Sequence, residues 1–133
     1  MSSNAIEITP TNNKKVRAGA GCKFDFVLYD TSDTPTALVK ASLESVEMTL
    51  KNKCGQVING RENTDVLDAA IGTVSTAGVV TLKFTPDDNP STEAGVYFEW
   101  HFLQLAWTWT DGDGFTWTDS EHFKFKVHNL VMS

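Results

Sequence analysis

The sequence predicts an all-β domain, a sandwich of two packed antiparallel sheets. Three observations predict it. Apolar and polar residues alternate with a period of two in at least five segments, turn-forming residues separate those segments, and no segment sustains a helical period. A length of 133 residues fits one domain and leaves little room for a second. It also buries enough surface that no metal or disulfide staple is required.

The elements follow in chain order. Residues 1–20 read as an N-terminal arm with a possible edge strand at 5–9, where Ile6 and Ile8 alternate with polar neighbours before Pro10 breaks the pattern. Residues 21–133 read as the sandwich itself. Cys22, Phe24, Phe26 and Leu28 alternate with Lys23, Asp25, Val27 and Tyr29, as in a half-buried strand. The Ser-, Asp-, Thr- and Pro-containing stretch 30–36 is a loop. Val46, Met48 and Leu50 define the next strand, which turns through Asn52-Lys53-Cys54-Gly55 into a short return at Val57-Ile58. In 62–71, Val66, Leu67, Ala70 and Ile71 sit at helical spacing, so a short helix competes with an extended connection. Val80, Leu82 and Phe84 alternate until Pro86 ends their strand.

The richest stretch runs from Val96 to Trp109. Its apolar residues occupy even positions at Val96, Phe98, Trp100 and Phe102, then odd positions at Leu103, Leu105, Trp107 and Trp109. A one-residue slip turns every later side chain to the other face. A β-bulge near Leu103 or Gln104 is the favoured explanation, and burial on different faces along the strand is the rival. Asp111-Gly112-Asp113-Gly114 makes a hairpin turn, and Phe115 and Trp117 open the return strand. That strand ends with Phe123, Phe125 and Val127 on one side and His122, Lys124, Lys126 and His128 on the other. The total is seven or eight strands.

Composition restricts the function classes. The net charge is −6 and the pI about 4.9, a field that repels phosphate backbones, so no nucleic acid is expected as partner. The basic spots at Lys14-Lys15-Val16-Arg17 and at Lys124 and Lys126 read as a solvated turn and a strand's wet face. No apolar run approaches the ~20 residues that span a bilayer, and the N-terminus has no basic start and apolar stretch of a signal peptide. No membrane partner is expected, and synthesis in a cytoplasm is. Cys22 and Cys54 follow no metal-ligand spacing and read as reduced thiols, with a disulfide open only to a fold that brings their Cα atoms within about 7 Å.

No enzyme signature is present. His101, His122 and His128 all lie on strands without a nucleophile motif beside them, and there is no phosphate loop, HExxH or Cys-x-x-Cys. Asp111, Asp113, Asp119 and Glu121 offer oxygens across the last hairpin, but a tight turn explains the same residues, so no metal and no cofactor is expected. The aromatic excess is more informative. Trp100, Trp107, Trp109 and Trp117 fall in one hairpin, and Trp107, Trp109 and Trp117 flank its turn, where little core remains to cover them. Trp107, Trp109, Phe115 and Trp117 are therefore the candidate binding residues, for a protein hot spot or for stacking on sugar rings.

Two local patterns suggest an immunoglobulin-like form of the sandwich. Glu93-Ala94-Gly95-Val96-Tyr97 resembles the D-x-G-x-Y corner of that fold, although Glu99 stands where its cysteine would be and no tryptophan lies on the third strand, which excludes an antibody-type domain. A closer likeness rests on Lys23-Phe24-Asp25-Phe26-Val27-Leu28-Tyr29-Asp30, Val46-Glu47-Met48-Thr49-Leu50-Lys51, residues 78–86, residues 94–100 and Phe123-Lys124-Phe125-Lys126-Val127. In this order the chain resembles immunoglobulin-like structural proteins of tailed bacteriophages, including the N-terminal domain of baseplate upper proteins. The resemblance implies a non-enzymatic virion subunit, in the head decoration, neck, tail or baseplate. Such a subunit is made in the host cytoplasm and contacts other virion proteins in repeated or homo-oligomeric copies. Residues 1–11 and 130–133 would order only on assembly. The alternative is a carbohydrate-binding module with an exposed Trp platform and a glycan as partner.

Overall fold

In the computed structural model, which describes residues 5–11, 15–67, 71–93 and 95–129, the alternating segments fold into nine strands and no α-helix. They are β1 (Ile6–Glu7), β2 (Val16–Arg17), β3 (Cys22–Val27), β4 (Leu43–Asn52), β5 (Thr64–Asp65), β6 (Gly72–Val74), β7 (Val79–Phe84), β8 (Phe98–Thr110) and β9 (Thr116–His128). One sheet has the order β1-β9-β8-β4-β5, with β2 also paired to β9, and the other the order β3-β7-β6. The chain is an all-β sandwich. It has more strands than the seven or eight expected, because pieces of two or three residues are too short for periodicity to mark. Nor is the large sheet purely antiparallel, since β1 and β2 both run parallel to β9.

The inner faces are those the alternation assigns. Val46, Met48 and Leu50 of β4, Leu103 and Leu105 of β8, and Phe125 and Val127 of β9 are buried against Phe24, Phe26, Val80, Leu82 and Phe84 of the small sheet. Ring contacts cross the interface: Phe24 to Phe125 at 5.0 Å, Phe26 to Phe123 at 4.7 Å and Phe84 to Phe125 at 5.9 Å between centroids. Interdigitated aromatics of this kind bind the two layers into one core. The Cys22 thiol lies in it as well, and burial pushes its pKa up to about 11, whereas Cys54 is exposed and both are free. Gly78 holds a tight approach to the loop before β4: its φ is +94°, and an added Cβ would lie 1.9 Å from the Leu38 carbonyl oxygen.

Two expectations are corrected and one open alternative is decided. Of residues 1–11, the described part packs on the domain in the single chain: Ile8 and Thr11 donate their amides to the Lys124 and Lys23 carbonyls at 2.9 and 2.8 Å. Residues 1–4 and 130–133 lie outside the described residues. In 62–71 the extended connection wins over the helix, since Val66 donates its amide to Val46 and β5 pairs with β4; residues 68–70 lie outside the described residues. The return at Val57-Ile58 amounts to a single bridge, Lys51 to Val57.

No β-bulge interrupts β8. Its register with β9 is continuous from Phe98↔His128 to Thr110↔Thr116, and the sheet's irregularity lies on β4, between Leu43 and Ser45. The odd residues of β8 face inward throughout, so the first inward pair is polar, Glu99 and His101, and the aromatic Phe98, Trp100 and Phe102 face outward. Both inversions are compensated. Lys124 sits over the Trp100 ring at 4.8 Å and Lys126 over Phe98 at 4.7 Å, while inside His101 Nε2 and the Glu99 carboxylate bond to each other.

Beyond the other edge of the core, Asp88 is fully buried and accepts from Arg61 Nε at 2.8 Å, Asn59 Nδ2 at 2.9 Å, and the Thr85 amide and hydroxyl at 2.8 and 3.0 Å. This carboxylate ties the turn after β7 to the loop after β4. Among the described residues no helix is long and apolar enough to cross a membrane.

Candidate functional site

β8 and β9 are each 13 residues long, roughly 44 Å at 3.4 Å per residue. β9 marks where the sandwich ends. On its inward parity Phe123, Phe125 and Val127 meet the small sheet, whereas Asp119 and Trp117, nearer the turn, are left partly open. Residues 111–114 close the hairpin, with Gly114 at φ +79° and its amide bonded to the Asp111 carbonyl at 3.1 Å.

At this tip two large aromatics are presented to solvent. Phe115 is 59% exposed and Trp117 43%, and their rings meet edge to face at 4.9 Å. Asp111 fixes both: its Oδ1 accepts the Asp113 and Phe115 amides at 2.9 and 3.0 Å, and its Oδ2 accepts the Trp117 indole N–H at 2.8 Å. These hydrogen bonds, the indole's foremost, hold the Asp111 carboxyl below its usual range.

Trp107 and Trp109 do not join that surface. They are 5% and 3% exposed, because the inward parity of β8 carries them into the core, where Trp107 donates its indole N–H to the Tyr29 carbonyl at 3.2 Å and Trp109 lies beside the start of the 30–36 loop. Of the four candidates, then, the fold brings Phe115 and Trp117 to the surface and places Trp107 and Trp109 in the core.

The 30–36 loop contributes residues that sequence reasoning had read only as a connection. A cleft of about 280 Å³ lies between it and the hairpin, lined by Asp30, Thr31, Ser32, Trp109, Asp111 and Trp117. Asp30 Oδ1 accepts the Thr36 amide at 2.9 Å and the Ser32 hydroxyl at 2.8 Å, which shape the loop and hold the Asp30 carboxyl below its usual range. Two ionised carboxylates thus border the cleft. Among the described residues no three His, Cys, Asp or Glu side chains gather as a metal would require, and the Asp111 carboxylate is occupied by its own turn.

The histidines are not all without partners, contrary to the sequence reading. His101 Nε2 lies 2.8 Å from Glu99 Oε2, and both side chains are wholly buried. Glu99 also accepts the amides of Thr92 and Glu93 and the Thr92 hydroxyl. Burial acts to raise its pKa, but the hydrogen bonds from Thr92, His101 and Glu93 outweigh it, and the carboxyl lies below its usual range. Burial holds the His101 imidazole below its usual range despite that neighbour. Its Nδ1 has no hydrogen-bond partner among the described residues. An acid-base pair serves catalysis when it is aimed at a nucleophile that substrate can reach. Here the hydroxyl bonds to the carboxylate, not to the imidazole, and the pair instead fastens residues 92–93 onto β8. The signal for it was the reversed parity of Glu99 and His101 within an otherwise apolar run.

No protein-family model, curated protein or solved structure matches this chain.

Proposed function

We propose that the chain is a non-enzymatic, immunoglobulin-like structural subunit of a tailed-phage virion, holding its neighbours through the tip of β8–β9. The observation that carries the reading is the pair Phe115 and Trp117, exposed yet fixed by the Asp111 carboxylate. Aromatics already held in one arrangement lose little freedom on docking and make effective interface anchors. A hairpin locked at both ends by paired strands presents them on a rigid element. The virion setting is supported by the order of strand motifs described above, and the non-catalytic reading by the enclosure of the Glu99–His101 pair. Such a subunit works in repeated copies beside other virion proteins. The test is mass spectrometry of gradient-purified particles from the source of the gene: the chain is expected in the particle fraction at a fixed copy number, and its absence there would refute the assignment.

A second reading, a carbohydrate-binding module, is favoured by one observation. The cleft beside Trp117 carries Asp30, Ser32 and Asp111, polar groups suited to sugar hydroxyls next to an aromatic ring. Binding on a glycan array that is abolished by Trp117→Ala would select this reading, and no signal on the array would remove it.

A further inference from the structure

The opposite end of the large sheet carries the chemical complement of the tip. On the outer face, Phe102 stands in register between Lys51 of β4 and Lys124 of β9, and Gln104 stands between Thr49 and His122. Thr49, Lys51, Phe102, Gln104 and His122 line a hollow of about 200 Å³. At ~30 Å³ for a water's share of the liquid, this is room for a side chain. Lys51 and Lys124 form no ion pair among the described residues. Farther along β9, burial first and then Lys15, Lys126 and Arg17 hold the His128 imidazole below its usual range, and Glu7 of β1 stands in register beside Lys124. The cross-strand row thus reads Lys51, Phe102, Lys124, Glu7, with two lysines flanking the ring.

The tip offers the matching groups. Phe115 is its most exposed ring, and the Asp113 carboxylate, unlike that of Asp111, has no partner among the described residues. Within one chain the two surfaces cannot meet, because Phe102 and Thr110 are separated along a single strand by roughly 27 Å. We propose that the occupant of the hollow is the hairpin tip of a second copy, with Phe115 entering beside Phe102 and Asp113 facing Lys51 and Lys124. The contact joins two different surfaces, so each copy keeps one of each free and the arrangement repeats into a ring or a filament. This rests on the assembly reading above and names its partner.

The test is sedimentation velocity across a concentration series at low salt, with circular dichroism to verify folding. Wild type is expected to self-associate, and to do so less at high salt. Phe115→Ala, and separately the pair Lys51→Glu with Lys124→Glu, are each expected to weaken association at least about thirtyfold. All three positions are partly or wholly exposed, so the fold should survive. The decisive sample is a mixture of the two variants: each retains one intact surface, so they should form heterodimers and nothing larger. Monomeric wild type at every concentration, or a mixture that stays monomeric, overturns the proposal. So does binding of a fluorescent single-stranded oligonucleotide that is lost with Lys51→Glu and Lys124→Glu while self-association is absent. The same variants distinguish failure of this contact from failure of the assembly reading. If particles exclude Phe115→Ala with Trp117→Ala but admit Lys51→Glu with Lys124→Glu, only the contact between copies is overturned.

Discussion

Trp117 donates its indole N–H to Asp111 Oδ2 at 2.8 Å across the hairpin turn, and the other oxygen of that carboxylate accepts two backbone amides of the same turn. One ionised side chain therefore sets both the turn and the position of the exposed ring. Because the Asp111 pKa is depressed, this contribution is fully present above the ordinary carboxyl value of 3.8 and is lost as the pH falls through the lower folded value. In a proton-nitrogen correlation spectrum the Trp117 indole signal should shift with a midpoint below 3.8. Asp111→Ala should move it at neutral pH to where acid moves it in wild type. An indole signal indifferent to Asp111→Ala would show that the ring is held by something else.

The two tryptophan environments predict opposite mutational outcomes. Trp107→Ala empties a site that is 5% exposed and should cost about 3–5 kcal/mol in urea unfolding. Phe115→Ala with Trp117→Ala removes surface rings and should cost about 1 kcal/mol or less. Equal losses would mean that the tip belongs to the core.

How far the sequence could be read is clearest in β8. Leu103 and Leu105, and Phe123, Phe125 and Val127 on β9, were legible as core because each falls on the apolar parity of an alternating run. Glu99 and His101 were not, because periodicity equates the apolar face with the inside. Here the polar face goes in, satisfied by residues 92–93, while lysines cover the aromatic face. The apparent need for a bulge followed from that equation. Similarly, Trp107 and Trp109 looked exposed because they flank a turn, and the segment from Tyr29 to Ser32 that meets them is distant in sequence. Phe115 and Trp117 were legible as candidates because no element reaches beyond the hairpin's end.

The Glu99–His101 pair makes the domain acid-sensitive in two stages. Both folded pKa values lie below their ordinary ones, so in each case stability is full above the ordinary value and falls with pH below it. The urea midpoint should decline first below 6.5, as unfolded His101 gains a proton that the fold refuses, and again below 4.5 for Glu99. His101→Gln keeps a donor for Glu99 but does not titrate, and should flatten the decline between 6.5 and 4.5. An unchanged slope would assign that sensitivity elsewhere.

Removing one member of a buried ionic network leaves the others unpaired, which typically costs about 3–5 kcal/mol. Asp88→Ala should show a loss of this size, since Arg61, Asn59 and Thr85 all donate to that carboxylate. Replacing Asp88 and Arg61 together should cost less than the sum of the single losses. A double-mutant cycle showing additivity would rule out their coupling.

The central claim is that the exposed Phe115–Trp117 tip is the surface through which the chain works. The most direct measurement is the copy number of Phe115→Ala with Trp117→Ala in gradient-purified particles, alongside wild type. The account predicts a folded variant that is absent from the particles. A folded variant incorporated at the wild-type copy number would contradict it.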